Sequence, residues 1–251
     1  MTSDLEHPTY ANPTVVEALC HLDFEPSPEA TWQISRPTNF LQLVSIEYPN
    51  VEPVSSPGIT ISPGGPPTLR IAAALKLSND DKSRYIAIGD RHFAFGHVAR
   101  YPGWQRFRDP LLDAWDKFVS VARPREISRI GLRYVNVIPR TAEHPLISDW
   151  LKATATIPET LVSSKTDPFL LRVESWTKEK SLLIVTVGVT AAAAGEQPKI
   201  VFDIDHLLNI KSGVTTDELT RNVESLHDAV WREFASARTP RLDAYLRGVS
   251  Q

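Results

Sequence analysis

The chain has 251 residues, a formal net charge of −3 and 23% charged residues. Its 42% hydrophobic content is that of a globular protein, which excludes collagen-like, coiled-coil and low-complexity chains and argues against a disordered one. The slightly acidic balance disfavours a general nucleic-acid binder. One count is unusual, because 20 prolines outnumber 11 glycines.

The cysteine count and the N-terminal segment bear on the compartment. Cys20 is the only cysteine, so the chain cannot form an intramolecular disulfide. Residues 1–10 lack the basic and apolar regions of a secretory signal, and we expect residues 1–9 to be flexible. The longest weakly charged apolar stretch, Ser181 to Gly195, is too short to span a bilayer. We therefore expect a cytoplasmic protein that does not bind membranes.

In the first half, hydrophobic patterning predicts a strand, a short helix, three strands and a long helix. The long helix begins at Asp109 as N-cap, with Pro110 at its first position, and ends before Pro124. Six prolines between Tyr48 and Thr68 oppose both helix and strand, which predicts a proline-rich surface loop over residues 48–68. The other predicted elements are a strand at 14–25, a helix at 38–47, a strand at 69–77, and a hairpin of strands 85–88 and 92–97.

The second half repeats this order. Glu126 to Ile138 is the clearest strand, with Ile130, Leu132, Tyr134 and Ile138 on one side and Arg129, Gly131, Arg133 and Val135 on the other. Thr215 with Glu218 forms a capping-box pattern at the start of the last long helix. The remaining predicted elements are a short helix at 146–153, strands at 169–176, 182–190 and 199–205, a long helix at 216–237 and a final helical turn at 240–246.

The shared element order predicts a duplicated β-α-β-β-β-α unit in an α+β fold. Short turns between successive strands favour antiparallel pairing, so we expect one curved, mainly antiparallel sheet of about eight strands. Two long helices should pack on one face of it. The single domain would cover residues 10–246, with pseudo-symmetric halves at about 10–124 and 125–246.

Polar residues on the predicted strands form one candidate site. Asp203 and Asp205 share a strand face, and paired carboxylates can hold a divalent metal or divide acid and base roles. Glu17 and His21 lie on the polar side of the first strand, and Arg133 lies on its counterpart in the second half. These residues could form the site of a metal-assisted enzyme, or simply a charged, hydrated exterior.

Basic residues leave a third interpretation open. A duplicated, curved sheet can grip a nucleic-acid duplex if its concave face is basic, and Arg129, Arg133 and Arg172 are candidates. Acidic residues on the same strands, Glu174 and Asp203 among them, would oppose that role.

The segment before the first long helix is rich in aromatic and arginine side chains. Trp104, Phe107 and Arg108 are residue types enriched at protein interfaces. The alternative is that Trp104 and Phe107 pack beneath the helix as part of the core.

Several short motifs resemble a sporadically distributed family of uncharacterised bacterial proteins. They are NPTVVEA at 12–18, YPGWQRF at 101–107, IGLRYVN at 130–136 and FDID at 202–205, and the tail with Leu226, His227, Phe234 and Thr239 is also similar. The resemblance spans about residues 10–246. It implies no activity or catalytic residue, but the patchy occurrence implies an accessory gene, such as a toxin–antitoxin or phage-defence component.

The sequence therefore favours a non-catalytic binding or interaction protein with a protein partner. A small ligand is the alternative partner, nucleic acid is disfavoured, and we expect no cofactor, metal ligand or catalytic residue. The candidate binding residues are Trp104, Phe107, Arg108, Arg133, Asn136, Asp203 and Asp205.

Overall fold

The computed structural model describes residues 8–27, 35–60, 68–152, 169–176, 181–191 and 197–249. The strands in this part of the chain are β1 (Val15–Pro26), β2 (Asn50–Thr60), β3 (Thr68–Ser78), β4 (Arg84–Ile88), β5 (His92–Val98), β6 (Pro124–Ile138), β7 (Phe169–Trp176), β8 (Ser181–Val189) and β9 (Ile200–Ser212). The helices are α1 (Ser35–Val44), α2 (Trp104–Ala122), α3 (Ile147–Trp150), α4 (Thr216–Ala237) and α5 (Pro240–Arg247).

All nine of these strands form one antiparallel sheet in the order β2-β3-β4-β5-β1-β6-β9-β8-β7. The first strands of the two halves, β1 and β6, pair at the centre, and the later strands of each half extend outward from them. The helices pack on the sheet, so the predicted α+β class is confirmed.

The long helices α2 and α4 cover the same face, here called the helix face. Residues opposite each other in the antiparallel pairs share a face, and Ala18 of β1, Tyr134 of β6 and Ile204 of β9 are opposed in this way. On that face Phe24 contacts Trp115 of α2 edge to face, and Phe202 stacks on Phe234 of α4. The prediction of two helices on one face is confirmed.

Cys20 also points to the helix face and is completely buried. Burial raises the pKa of its thiol well above the ordinary range. Cys20 is therefore a small core residue and not a nucleophile, as its place on the apolar side of the strand predicts. None of the helices in the described residues is long and apolar enough to cross a membrane.

The structure corrects the predicted loop over residues 48–68 at residues 50–60, whereas residues 61–67 lie outside the described residues. Residues 50–60 form β2, which pairs with β3 in continuous register from Asn50↔Ser78 to Thr60↔Thr68. Proline lacks the backbone donor of a ladder hydrogen bond, but an edge strand tolerates it because one side of the strand has no neighbour. Among the described strands β2 is such an edge, and Pro53 and Pro57 lie in it. Among the described residues the sheet consequently has nine strands, five in the first half and four in the second.

The start of α2 also differs from the prediction. The helix begins at Trp104 after Gly103, whose φ of 97° turns the chain into the first helical turn, so Pro110 lies inside the helix. Proline has no backbone N–H, so one hydrogen bond of the helix is missing at Pro110. Phe107, Leu111 and Trp115 are buried along one stripe of the helix, and this packing holds the turns before and after Pro110 against the sheet. The helix ends before Pro124, as predicted, and the Thr215 cap of α4 is present, accepting a hydrogen bond from the Glu218 amide.

Candidate functional site

A cavity of about 130 Å³ lies on the helix face, between α4, the centre of the sheet and the start of α2. Its floor is formed by strands β1, β6 and β9, through Val15, Tyr134 and Ile204, together with Thr14 just before β1. The walls come from distant parts of the chain: residues 8–13, the segment before α2, and one side of α4. The lining is aromatic in large part, through Tyr10, Tyr101, Trp104, Tyr134, Trp231 and Phe234.

One wall is a stacked pair of rings. Trp104 and His227 lie face to face, with centroids 3.9 Å apart and planes 8° from parallel. Glu224 fixes the indole, because its carboxylate accepts hydrogen bonds from Trp104 Nε1 at 2.9 Å and from Arg108 Nη1 at 2.6 Å. The first turn of α2 is thereby joined to the middle of α4, and the indole face is held in place.

A pair of tyrosines supplies polar atoms to the cavity. The hydroxyls of Tyr101 and Tyr134 lie 2.9 Å apart, so one donates its proton to the other. The hydroxyl that accepts this bond still carries its own proton, which is not donated within the pair. Burial raises the pKa of both phenols above their ordinary value, so both stay neutral. The pair therefore presents one neutral hydrogen-bond donor to the cavity.

Asn136 is the deepest polar side chain of the lining and is 1% exposed. Its amide oxygen accepts from the Thr14 hydroxyl at 2.9 Å, and its amide nitrogen donates to the Phe202 carbonyl at 3.2 Å. These bonds join the residue before β1 to β6 and β9 at the cavity floor. Of the residues predicted for binding, Asn136 and Trp104 are the two that the structure brings together here.

The outer wall is the segment that precedes β1. Asn12 is tied to α5, since its backbone amide donates to the Leu246 carbonyl at 3.0 Å and its side chain donates to the Tyr245 carbonyl at 2.9 Å. Tyr10 packs near Trp231, with ring centroids 6.1 Å apart, and its hydroxyl accepts from Arg238. Residues 1–7 lie outside the described residues, whereas Pro8 and Thr9 line the cavity.

The opposite face of the sheet, here called the open face, carries the polar residues predicted as a second site. Arg133 donates two hydrogen bonds to Asp203, from Nε to Oδ1 at 2.9 Å and from Nη2 to Oδ2 at 2.8 Å. These hydrogen bonds raise the pKa of the Arg133 guanidinium. Asp205 Oδ1 lies 3.9 Å from His21 Nε2, and Glu17 accepts from the Tyr85 hydroxyl at 3.1 Å. The predicted set is therefore assembled on one face.

Asp23 links two more strands on the open face. It lies opposite His92 of β5 and Arg129 of β6, and its two oxygens contact His92 Nδ1 at 3.1 Å and Arg129 Nη2 at 2.5 Å. Burial opposes ionisation of this carboxyl, but its hydrogen bond to His92 and the charge of Arg129 outweigh that effect and lower its pKa. This carboxylate thus contacts a basic side chain on each neighbouring strand, His92 on β5 and Arg129 on β6.

The internal pairing on the open face weakens two of the alternatives. Both carboxylate oxygens of Asp203 are engaged by Arg133, and no group of three metal-ligating side chains occurs among the described residues. Arg129 and Arg172 are likewise paired, with Asp23 and Glu174. A duplex phosphate would have to compete with those carboxylates for each arginine.

Phe107 and Arg108 are placed away from the cavity. Phe107 is 1% exposed and packs edge to face against Phe95, so it belongs to the core beneath α2. Arg108 forms ion pairs with Asp109 and Glu224 on the helix surface. Both residues therefore support the wall that Trp104 forms, and neither lines it.

Tyr134, His227 and Trp231 are among the lining residues that the sequence patterns do not predict as binding residues. Tyr134 alternates into the core face of β6, and its hydroxyl has no separate signal in the sequence. His227 and Trp231 lie in α4, whose apolar stripe contains Val223, Val230 and Phe234. His227 follows Val223 by four positions, so helical spacing already places it on the buried stripe. A histidine on such a stripe is the signal that the sequence offers.

Comparison with models of protein families finds no matching family, and comparison with curated proteins finds no significant relative. The family resemblance of the sequence motifs stays a prediction.

Proposed function

We propose that the protein binds a small, uncharged ligand with an aromatic ring and a hydrogen-bond acceptor, and that it acts as a binding protein and not as an enzyme. The observation that carries the proposal is the aromatic cavity with its neutral Tyr101–Tyr134 donor. Ligand pockets typically combine apolar walls with a few convergent polar groups, and this cavity has that composition.

The size of the cavity limits the ligand. An apolar cavity of about 150 Å³ accommodates benzene, and this cavity is of comparable volume, about 130 Å³. The fitting ligands are therefore single aromatic rings with one small substituent. The Trp104 indole and the Tyr10 phenol supply flat surfaces against which such a ring can pack.

The charge of the lining limits the ligand further. Within the described residues, the lining contains no carboxylate, lysine, arginine or cysteine. A charged ligand would lose its hydration without gaining an opposite charge, which is costly. A neutral carbonyl or ether oxygen, in contrast, can accept the unused hydroxyl proton of the tyrosine pair. The same lack of charged groups in the lining supports binding over catalysis.

Three probes of similar size test the proposal. Acetophenone has a ring and a neutral acceptor, ethylbenzene lacks the acceptor, and benzoate carries a charge. Binding is measured by Trp fluorescence and by chemical shifts of the cavity residues. We expect acetophenone to bind about fivefold to tenfold more tightly than ethylbenzene, because it gains one hydrogen bond that contributes about 1 kcal/mol to the free energy of binding. Benzoate should bind most weakly.

The variants separate the hydroxyl from the ring. Tyr101→Phe and Tyr134→Phe each leave one hydroxyl able to donate, so the preference for acetophenone should persist. The double variant removes both, and the two neutral probes should then bind equally. Val230→Phe fills the cavity and should abolish binding, whereas Tyr85→Phe on the open face is the matched control. Absence of any shift at the cavity residues, or loss of binding in Tyr85→Phe, would contradict the proposal.

The wider setting is part of the same proposal. We place the protein in the bacterial cytoplasm, where a lone buried thiol such as Cys20 is usual, and in an accessory module of the toxin–antitoxin or defence kind. In that setting the ligand would modulate the contact with a protein partner. Genes next to the coding sequence test this setting, since a neighbouring toxin or nuclease supports it and a housekeeping operon does not.

A further inference from the structure

We propose that β7 pairs with β7 of a second copy of this chain, in antiparallel register about a two-fold axis at Val173. β7 is the last strand in the sheet order and, among the described strands, pairs with β8 alone. Pairing of two such edges would join the sheets into one continuous sheet of twice the width. The dimer would carry both open faces on the same side.

The exposed side chains of β7 are the first observation. Leu170 is 70% exposed, Val173 54% and Trp176 65%, so three large apolar side chains lie in solvent on one eight-residue strand. Exposed apolar groups on an unpaired edge are the usual mark of a surface that a partner covers.

The contrast with the other edge is the second observation. β2, at the opposite end of the sheet, contains Pro53 and Pro57, and proline on an edge blocks pairing with another strand. β7 contains no proline from Phe169 to Trp176. One edge of the sheet is thus protected from pairing, and no described strand occupies the backbone groups on the outer side of the other.

Charge complementarity selects the second copy as the occupant. In the register centred on Val173, each residue faces the one whose number brings the sum to 346. Arg172 therefore lies opposite Glu174 of the second copy, and Leu170 lies opposite Trp176 of the second copy. All four side chains lie on the open face, because their β8 partners are continuous with that face. Arg172 and Glu174 already pair within one strand, Nε to Oε1 at 2.9 Å. Two copies would therefore form a ring of four alternating charges flanked by two apolar contacts.

Charge reversal tests the pairing. Arg172→Glu alone and Glu174→Arg alone each set like charges opposite each other in a homodimer, so sedimentation equilibrium should show association weakened about tenfold or more. The double variant R172E/E174R restores complementarity and should associate as the unmodified chain does. A mixture of the two single variants should also associate, because one strand is then wholly acidic and the other wholly basic.

Disulfide trapping tests the register. Val173→Cys places two thiols at the axis, within disulfide reach, and should cross-link on oxidation. In this register the two thiols of a Leu170→Cys dimer would be separated by six strand positions, about 20 Å, and should not cross-link. The native Cys20 is buried and does not compete. A chain that stays monomeric up to about 1 mM, equal cross-linking of both variants, or association indifferent to charge reversal would overturn the proposal.

Discussion

Trp104 and His227 belong to different long helices, yet their rings stack 3.9 Å apart and nearly parallel. The stack joins the start of α2 to the middle of α4 and forms one wall of the cavity. Glu224, one turn earlier in α4, holds the indole from its edge through Nε1. The same three side chains therefore support both the packing of the helices and the shape of the proposed site.

Removing the indole should destabilise the fold. We expect Trp104→Ala to lower the free energy of unfolding by about 3 kcal/mol, because the ring loses its stack and its hydrogen bond and leaves a void. Urea denaturation followed by circular dichroism measures the change. Trp176→Ala, which removes the same ring from a 65% exposed position, should change stability by less than about 0.5 kcal/mol at a concentration too low for self-association. Equal losses in both variants would refute a structural role for the stack.

The bidentate pair of Arg133 and Asp203 should show direct coupling. Asp203 is 8% exposed, so Asp203→Asn leaves the guanidinium beside a weaker acceptor in a partly buried place. A double-mutant cycle with Arg133→Met should give a coupling of about 1 kcal/mol, reduced from that of a fully buried pair because Arg133 is partly exposed. The cycle of Arg91 with Glu25, a more exposed pair joined by a single hydrogen bond, should give less. Equal couplings would show that the second hydrogen bond adds nothing.

The open face could be predicted because strand parity alone decides which side chains share a face. Alternation in three strands groups Glu17, His21, Arg133, Asp203 and Asp205, and those strands are adjacent in the sheet. Beyond the pairing of the two halves, that grouping requires no long-range information.

The edge strand and the cavity could not be predicted in this way. Proline opposes strand pairing in general, and its tolerance in β2 depends on the position of the strand at the edge of the sheet, which is a property of the whole fold. The cavity brings Tyr10, Trp104, Tyr134 and Trp231 together from four separate segments. Local periodicity carries no information about such a convergence.

Gly131 should be intolerant of alanine only while His21 is present. The two residues are directly opposed, and a Cβ at Gly131 would lie 1.9 Å from His21 Nε2, so the ring must leave its place over the glycine. We expect Gly131→Ala to cost about 1 kcal/mol in the unmodified chain. In a His21→Ala background the same change should be neutral or stabilising, because alanine loses less backbone entropy than glycine in a strand. Thermal unfolding of the four proteins checks this, and an equal cost in both backgrounds would contradict it.

Asp23 should make stability dependent on acid pH. Its pKa is lowered in the folded chain, so the ionised form contributes stability above the ordinary aspartate pKa of about 3.9 and that contribution is lost as the pH falls through the lower folded value. Asp23→Asn lacks the contribution at every pH. The unmodified chain should therefore be more stable than this variant at pH 6, by about 1 kcal/mol for a partly exposed pair.

That difference should shrink steadily below pH 4, because protonation of Asp23 makes the native side chain resemble the amide. Melting curves from pH 6 to pH 2.5 measure the difference directly. Asp90, exposed in the hairpin turn between β4 and β5, provides the control, and Asp90→Asn should follow the unmodified chain through the whole range. If the stability difference between the Asp23→Asn variant and the unmodified chain stays constant with pH, Asp23 acts through packing or neutral hydrogen bonds. If that stability difference disappears at low pH for Asp23→Asn, while Asp90→Asn matches the unmodified chain throughout, the acid-sensitive contact is the carboxylate between His92 and Arg129.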